Sequence, residues 1–304
     1  MLPTLDTDHV FYSFSPRLKP ALHAEQNQEF VLKTLDCFSG QIKSEQDLLD
    51  GLDWEHVNPA TGPVYISGVK PGDIVGFDIL SINIGQESRV VVAPGEGVPG
   101  DMISSMETVI LKHKDSFLNF KDMAAVPVNP MVGVIGVAPA DKEIPNGTPE
   151  KHGGNMDCRI ITAGTRIYFQ AEVEGALFGC GDLHAAQGDG EIGVSGAETA
   201  GEVRIKGSVY PGLKGLPTPF VETGDMVATI FSAKTSDEAA QGAVKNMILF
   251  LKQFAEIPEN HAAMLMSMAG NLCFCQVVDP LKTVRFEFPK SVLPSLHALN
   301  GVTV

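Results

Sequence analysis

Residues 181–193, GDLHAAQGDGEIG, hold two aspartates, a glutamate, a histidine and four glycines, with almost nothing to bury. A second stretch, HGGNMDCR at 152–159, sets His152, Asn155 and Asp157 around two glycines. Imidazoles and carboxylates converging from glycine-rich turns make a shell for a divalent cation of the hard-to-borderline kind. In Asp182-x-His184 the strand period of two places both side chains on one face, as a shared metal requires. Carboxylates gathered this closely repel, and a metal or shared protons must compensate. The competing reading is ordinary, since a lone Asp-x-His is usually a surface pair.

Other hydrolytic solutions find less support. A G-x-S-x-G elbow is absent, and so is a stretch of paired serines suited to a Ser-Lys amidase. Cys158 and Cys180 flank the acidic stretches, but neither has a cationic neighbour in sequence to activate it. Gly188-Asp189-Gly190 carries an acid where a phosphate cradle needs donors.

The elements that must position these residues are mostly strands. Thirty-one glycines and 20 prolines in 304 residues point to short strands joined by tight turns. QEFVLKT (28–34), PVYISGVKPGDIVGFDILSINI (63–84, broken by the turn at 70–73) and MVGVIGVAP (131–139) read as strands. So do 158–173, 176–186 and 201–210, and a hairpin between the first two of these would carry His152 and Asp157 to Asp182 and His184. Gly-Asp-apolar at 72–74, 181–183 and 224–226 reads as one turn used three times. Helix is expected late. Thr235 and Glu238 form a capping box, followed by the stripe Val244, Met247, Ile248, Leu251 and Phe254. A second helix runs from near Pro258 to before Gly270, and NLCFCQVVD returns to strand with Cys273 and Cys275 on one face. The expected fold is α+β and β-dominated, with layered, sandwich-like sheets and a few late helices packed on one side. A soft boundary near residue 125 divides a β-rich stretch, 1–125, from an α+β stretch, 126–304, carrying both motifs.

Composition narrows the partners. With 37 acidic against 22 basic residues, net charge −15, nucleic acid and anionic membrane are expected to be repelled. The first residues lack a basic and an apolar region of the signal-peptide kind, and the weakly polar run 124–140 is broken by prolines. Five scattered cysteines without a C-x-x-C pair suit reduced thiols in a cytoplasm.

HVNPATGPVYISGVKPGD (56–73), PMVGVIGVAP (130–139), HGGNMD (152–157) and GDLHAAQGDGEI (181–192), in this order, resemble the acetamidase/formamidase family. The resemblance implies a hydrolase of the carbon–nitrogen bond in short linear amides, β-rich and often oligomeric, so a homo-oligomer, dimer or higher, is expected. It further implies that His152, Asp157, Asp182 and His184 hold a divalent ion, zinc before calcium. Asp36 is a further ligand or, equally, a strand-end turn acid. Glu191 or Glu198 is the base, or a solvated loop acid. Asn155 donates to the oxyanion or merely occupies a positive-φ turn. His56, His113, His261 and His297 read as structural or surface residues. Two alternatives stand beside this: a calcium-binding β-rich module without catalysis, and an amidase for a larger amide or imide.

Overall fold

Two extended sheets lie face to face in the computed structural model, which describes residues 2–292; His297 lies outside them. The first sheet has nine strands, running from Thr4–Leu5 through Glu29–Thr34, Gly201–Val209, Ile74–Ile84 and Arg166–Gln170 to the edge strand Asn271–Gln276. The second has eleven, with Phe178–His184 at its centre. That strand pairs antiparallel with Met131–Gly136 on one side. On the other it meets Ala60–Ile66 first and Glu198–Thr199 last. Between the sheets lies the main core, where Phe30, Leu32, Phe77 and Ile205 of the first meet Val64, Val132, Ile135 and Phe178 of the second. The Phe77 and Phe178 rings stack at 3.9 Å.

Two helices, α1 (Ser236–Phe254) and α2 (Glu259–Ala269), complete the described regular structure on the outer side of the first sheet. Met247 and Leu251 of the expected stripe are buried there with Phe250, while Val244, Ile248 and Phe254 pack around them. The capping box forms as expected: Thr235 Oγ1 accepts from the Glu238 amide, and the Glu238 carboxylate accepts from the Thr235 amide. This arrangement of β-dominated layers with helices on one face is the expected fold class.

Three local expectations need correction. Residues 158–165 are mainly turn, and Arg166–Gln170 joins the first sheet between Ile74–Ile84 and Phe220–Glu222. It therefore forms no hairpin with Phe178–His184, which belongs to the second sheet. The strand Met131–Gly136 makes the junction instead, pairing with Gly153–Asn155 on one edge and Phe178–His184 on the other. Gly181-Asp182 lies inside a strand, so the turn seen at Gly72-Asp73 is not repeated there. Both sheets draw strands from either side of residue 125, and the stretches 1–125 and 126–304 interleave.

Thr235→Ala removes the acceptor for an otherwise orphaned helix amide. The expected loss is about 1 kcal/mol of stability, read as a lower denaturation midpoint with the helix retained by circular dichroism.

Candidate functional site

The strand Phe178–His184 breaks its own alternation at Asp182. Cys180 and Leu183 are three apart, so a regular strand would point them to opposite faces, yet both lie in the core between the sheets. The break coincides with a left-handed backbone at Asp182, φ 53°. Asp182 and His184 line the same cavity, with Asp182 Oδ1 3.3 Å from His184 Nε2. Asp157 and Glu191 also have left-handed backbones, both at φ 43°. Such conformations cost of order 1–3 kcal/mol each and persist only where surrounding packing imposes them.

Across the pairing, Gly133 lies opposite Asp182. A Cβ there would come 2.7 Å from Asp182 Oδ2 and closer still to Asp157 Oδ1. The absent side chain is the space in which the two carboxylates meet.

The cavity, about 480 Å³, is lined by Asp157, Asp182, Glu191, Glu198, Asp279, His184, Asn155 and Cys37, with apolar side chains around them. His184 is completely enclosed. Its Nε2 stands 3.0 Å from Glu198 Oε2 and 3.7 Å from Asp157 Oδ1. Gln187 settles its other nitrogen. The Gln187 amide nitrogen donates to the carbonyls of Asp157 (2.7 Å) and Cys275 (3.1 Å), so its oxygen is what faces His184 Nδ1 at 2.8 Å. An oxygen can only accept, and Nδ1 must carry a proton. Nε2 then either takes a second proton or offers its lone pair to a cation.

Electrostatics favours compensation at that point. Burial pushes the Glu198 carboxyl up to about 7; His184 opposes the shift and Asp182 adds to it. Burial also raises Asp157, with Glu191 and Asp182 adding to the shift. Burial likewise raises Glu191 and Asp279 well above the carboxylate range, against the pull of His184 on the first and the Asn155 hydrogen bond on the second. For His184 burial alone would lower the pKa, but Glu198 and Asp182 reverse this and hold it well above the usual imidazole value. Asp157 Oδ1, Glu191 Oε2 and Glu198 Oε2 are buried with no hydrogen-bond donor.

Those orphaned oxygens fit a cation. Two sets of donor atoms, Asp157–His184–Glu191 and Cys37–Asp182–Glu198, each lie within 4.8 Å of one another. Imidazole, thiol and carboxylate together are the donors of borderline metals.

The other expected site residues fall elsewhere. His152 is buried against Phe14, ring centroids 5.1 Å apart, and does not line the cavity; burial holds its pKa down at about 4. It precedes the edge strand Gly153–Asn155, and without the expected hairpin its ring is not carried to the acids. Asp36 closes a turn, its Oδ1 accepting from the amides of Phe38 (3.1 Å) and Gly40 (2.9 Å). The turn presents the next residue, Cys37, to the cavity. Asn155 lies in a strand rather than a positive-φ turn. Its Nδ2 donates to Asp279 at 2.8 Å, leaving the acceptor Oδ1 unpaired. Glu191 and Glu198 are buried, not solvated loop acids. Cys158 and Cys180 are buried away from the cavity, and Asp189 is spent on buried Arg285 at 2.6 and 2.9 Å. His56 pairs with Asp53 at the surface, and His113 meets Ser88 at 2.7 Å.

Sequence reasoning missed Cys37, Asp279 and Gln187. Asp279 ends the run CFCQVVD just after the edge strand Asn271–Gln276, whose last two residues are buried, and that place was the available signal.

The model described as the acetamidase/formamidase family matches residues 3–148 and 144–285 of this chain. A formamidase from Methylophilus methylotrophus is 25% identical over 82% of this chain and 81% of its own length. Among solved structures, an acetamidase from Bacillus halodurans is 38% identical, covering 99% of this chain and 100% of that one, with TM-score 0.91. A predicted acetamidase/formamidase from Thermoanaerobacter tengcongensis is 43% identical over 97% and 98% of the two chains, with TM-score 0.93.

The buried acids give the cation-free protein a signed pH dependence. Unfolded, the Glu198 carboxyl ionises near 4.5, and folded near about 7. Between these the folded state holds a proton the unfolded state lacks, so stability falls as pH rises. His152 opposes this below its unfolded value of 6.5, because charging it favours the unfolded chain. The denaturation midpoint of chelator-treated protein should therefore fall most clearly from about pH 6.5 upward. Added divalent cation should restore it at pH 7.5; a midpoint indifferent to cation there would count against the cluster as a metal site.

Proposed function

The chain belongs to the acetamidase/formamidase family, and on that premise we propose that it hydrolyses short linear amides to carboxylate and ammonia with a divalent cation at the acid cluster. The observation that carries this reading is His184: its Nδ1 is committed to Gln187 while its Nε2 faces buried carboxylates. Asp157, Asp182, His184 and Glu191 would hold the ion, with the Cys37 thiol beside Asp182 as a further donor. Zinc is proposed over calcium because an imidazole and a thiol stand among the donors, whereas calcium takes six to eight oxygens. The same donors speak against a calcium-binding module. Bound there, such an ion supplies Lewis acidity toward an amide carbonyl and toward water.

The remaining work falls to the chain's own groups. Glu198 Oε2 is proposed as the proton carrier, since a carboxylate poised near neutrality both accepts from water and returns the proton to the leaving nitrogen. Asn155 Oδ1, an acceptor without a partner, suits an amide N–H and would fix the orientation of the substrate. Asp279 holds the Asn155 side chain in place. The apolar side chains keep bulk water from the acids, preserving their raised pKa values.

Five unpaired cysteines suit a reducing compartment, and we propose a cytoplasmic homo-oligomer. No helix among the described residues is long and apolar enough to cross a membrane.

Ammonia release from formamide, acetamide and propionamide, with metal content measured on the same sample, tests the reading. Metal without ammonia from any of them would overturn it. His184→Ala should lose both metal and activity, whereas His152→Ala should keep its metal and lose stability. Retained metal in His184→Ala would remove the central ligand.

Glu198→Gln should cut kcat by about 10²–10⁴ with metal retained. Asp189→Asn should cost stability rather than turnover. Normal turnover in Glu198→Gln would transfer the proton to another group.

A further inference from the structure

The cavity exceeds what acetamide needs. Its volume of about 480 Å³ lies in the range of roughly 300–1,000 Å³ that takes drug-sized ligands, while acetamide ends one carbon beyond its carbonyl. Its lining divides by chemistry. Asp157, Asp182, Glu191 and Glu198 gather around His184, whereas Phe38, Leu49, Trp54, Val57 and Met106 offer largely apolar surface, with Asp50 and Glu96 among them.

Trp54 is the chain's single tryptophan and is 58% exposed at the cavity. It is nevertheless held firmly. Its short turn, Trp54–His56, is capped by Asp53, whose carboxylate accepts from the Glu55 amide at 3.1 Å. Gln41 accepts from the Asp53 amide at 2.8 Å and donates to the carbonyls of Asp53 (3.2 Å) and His56 (3.4 Å). A large aromatic side chain left mostly in solvent on a pinned turn gains only part of its burial energy from folding, and gains the rest on covering a ligand.

We propose that this wall takes the apolar acyl arm of the substrate, so that the chain prefers medium-length aliphatic primary amides to acetamide, with Trp54 covering the far end of the arm. The inference rests on the amide-hydrolysis reading and deepens it. The reaction is unchanged: water adds its oxygen to the carbonyl carbon, the carbon–nitrogen bond breaks, and ammonia departs with the transferred proton. Only the recognised arm is longer.

The test is a kcat/KM series on the metal-loaded protein with acetamide, butyramide and hexanamide. Burying a methylene is worth about 0.8 kcal/mol, or about fourfold, so hexanamide should exceed acetamide by at least about tenfold. Trp54→Ala should shrink the hexanamide-to-acetamide ratio by about fivefold or more, and Trp54→Phe should restore most of it. Tryptophan emission reports the same contact directly and should shift on adding hexanamide. If acetamide is hydrolysed but the ratio is one or less, or if Trp54→Ala leaves the ratio unaltered, the acyl-arm proposal falls while amide hydrolysis stands. If no amide releases ammonia and hexanamide leaves the emission unmoved, both fall together.

Discussion

Repulsion among buried carboxylates is the constraint to which the rest of this structure answers. Asp157 and Glu191 offer oxygens within 4.8 Å of each other, and so do Asp182 and Glu198. At an effective dielectric of about 20, two ionised groups at such a separation repel by roughly 3–4 kcal/mol. A domain's whole net stability is about 5–15 kcal/mol. The acids cannot all stay charged without compensation, and positive charge in the form of protons or a cation must collect among them. His184 lies within 4 Å of four of the carboxylates and marks where that charge belongs.

Much of the local backbone is explained by the need to force these groups together. Gly133 leaves open the space where Asp157 and Asp182 meet, and a Cβ on Gly196 would come 2.5 Å from His184 Nδ1. Three of the acids adopt left-handed backbones, at a cost that the enclosing sheets must offset. The core between the sheets supplies that support, since Cys180 and Leu183 are buried on either side of Asp182. Strain at the cluster and packing in the core are two aspects of one strand.

This division explains what could be read from residues alone. The capping box at Thr235, the stripe along α1, and the strands at 29–34, 74–84 and 201–209 depend on neighbours close in sequence, and they appeared where the periodicity put them. Asp182, His184, Glu191 and Glu198 were legible as candidates because acids and glycines alternated so densely. Their convergence with Asp157 was expected through the wrong partner strand. Pairing between strands depends on positions distant in sequence, and nothing local distinguishes a strand that turns back on itself from one that crosses to the other sheet. His152 was misplaced for that reason. Cys37 sits among unremarkable neighbours and Asp279 carries only the weak signal of following a strand, and only the closed fold brings them to the cavity.

The site is also assembled across the chain. Every acid of the cluster lies after residue 125, whereas Phe38, Leu49, Trp54, Val57 and Met106 all come before it. Groups suited to bond cleavage and groups suited to recognising an apolar arm thus come largely from different stretches of sequence, with Cys37 the exception among the donors. The two sets are not energetically independent. An apolar arm that displaces water from the wall lowers the local dielectric and strengthens each interaction among the acids. Occupancy of the wall therefore adds to the pressure for a cation at His184, and a longer acyl chain would sharpen the electrostatics of the cluster as well as anchor the substrate.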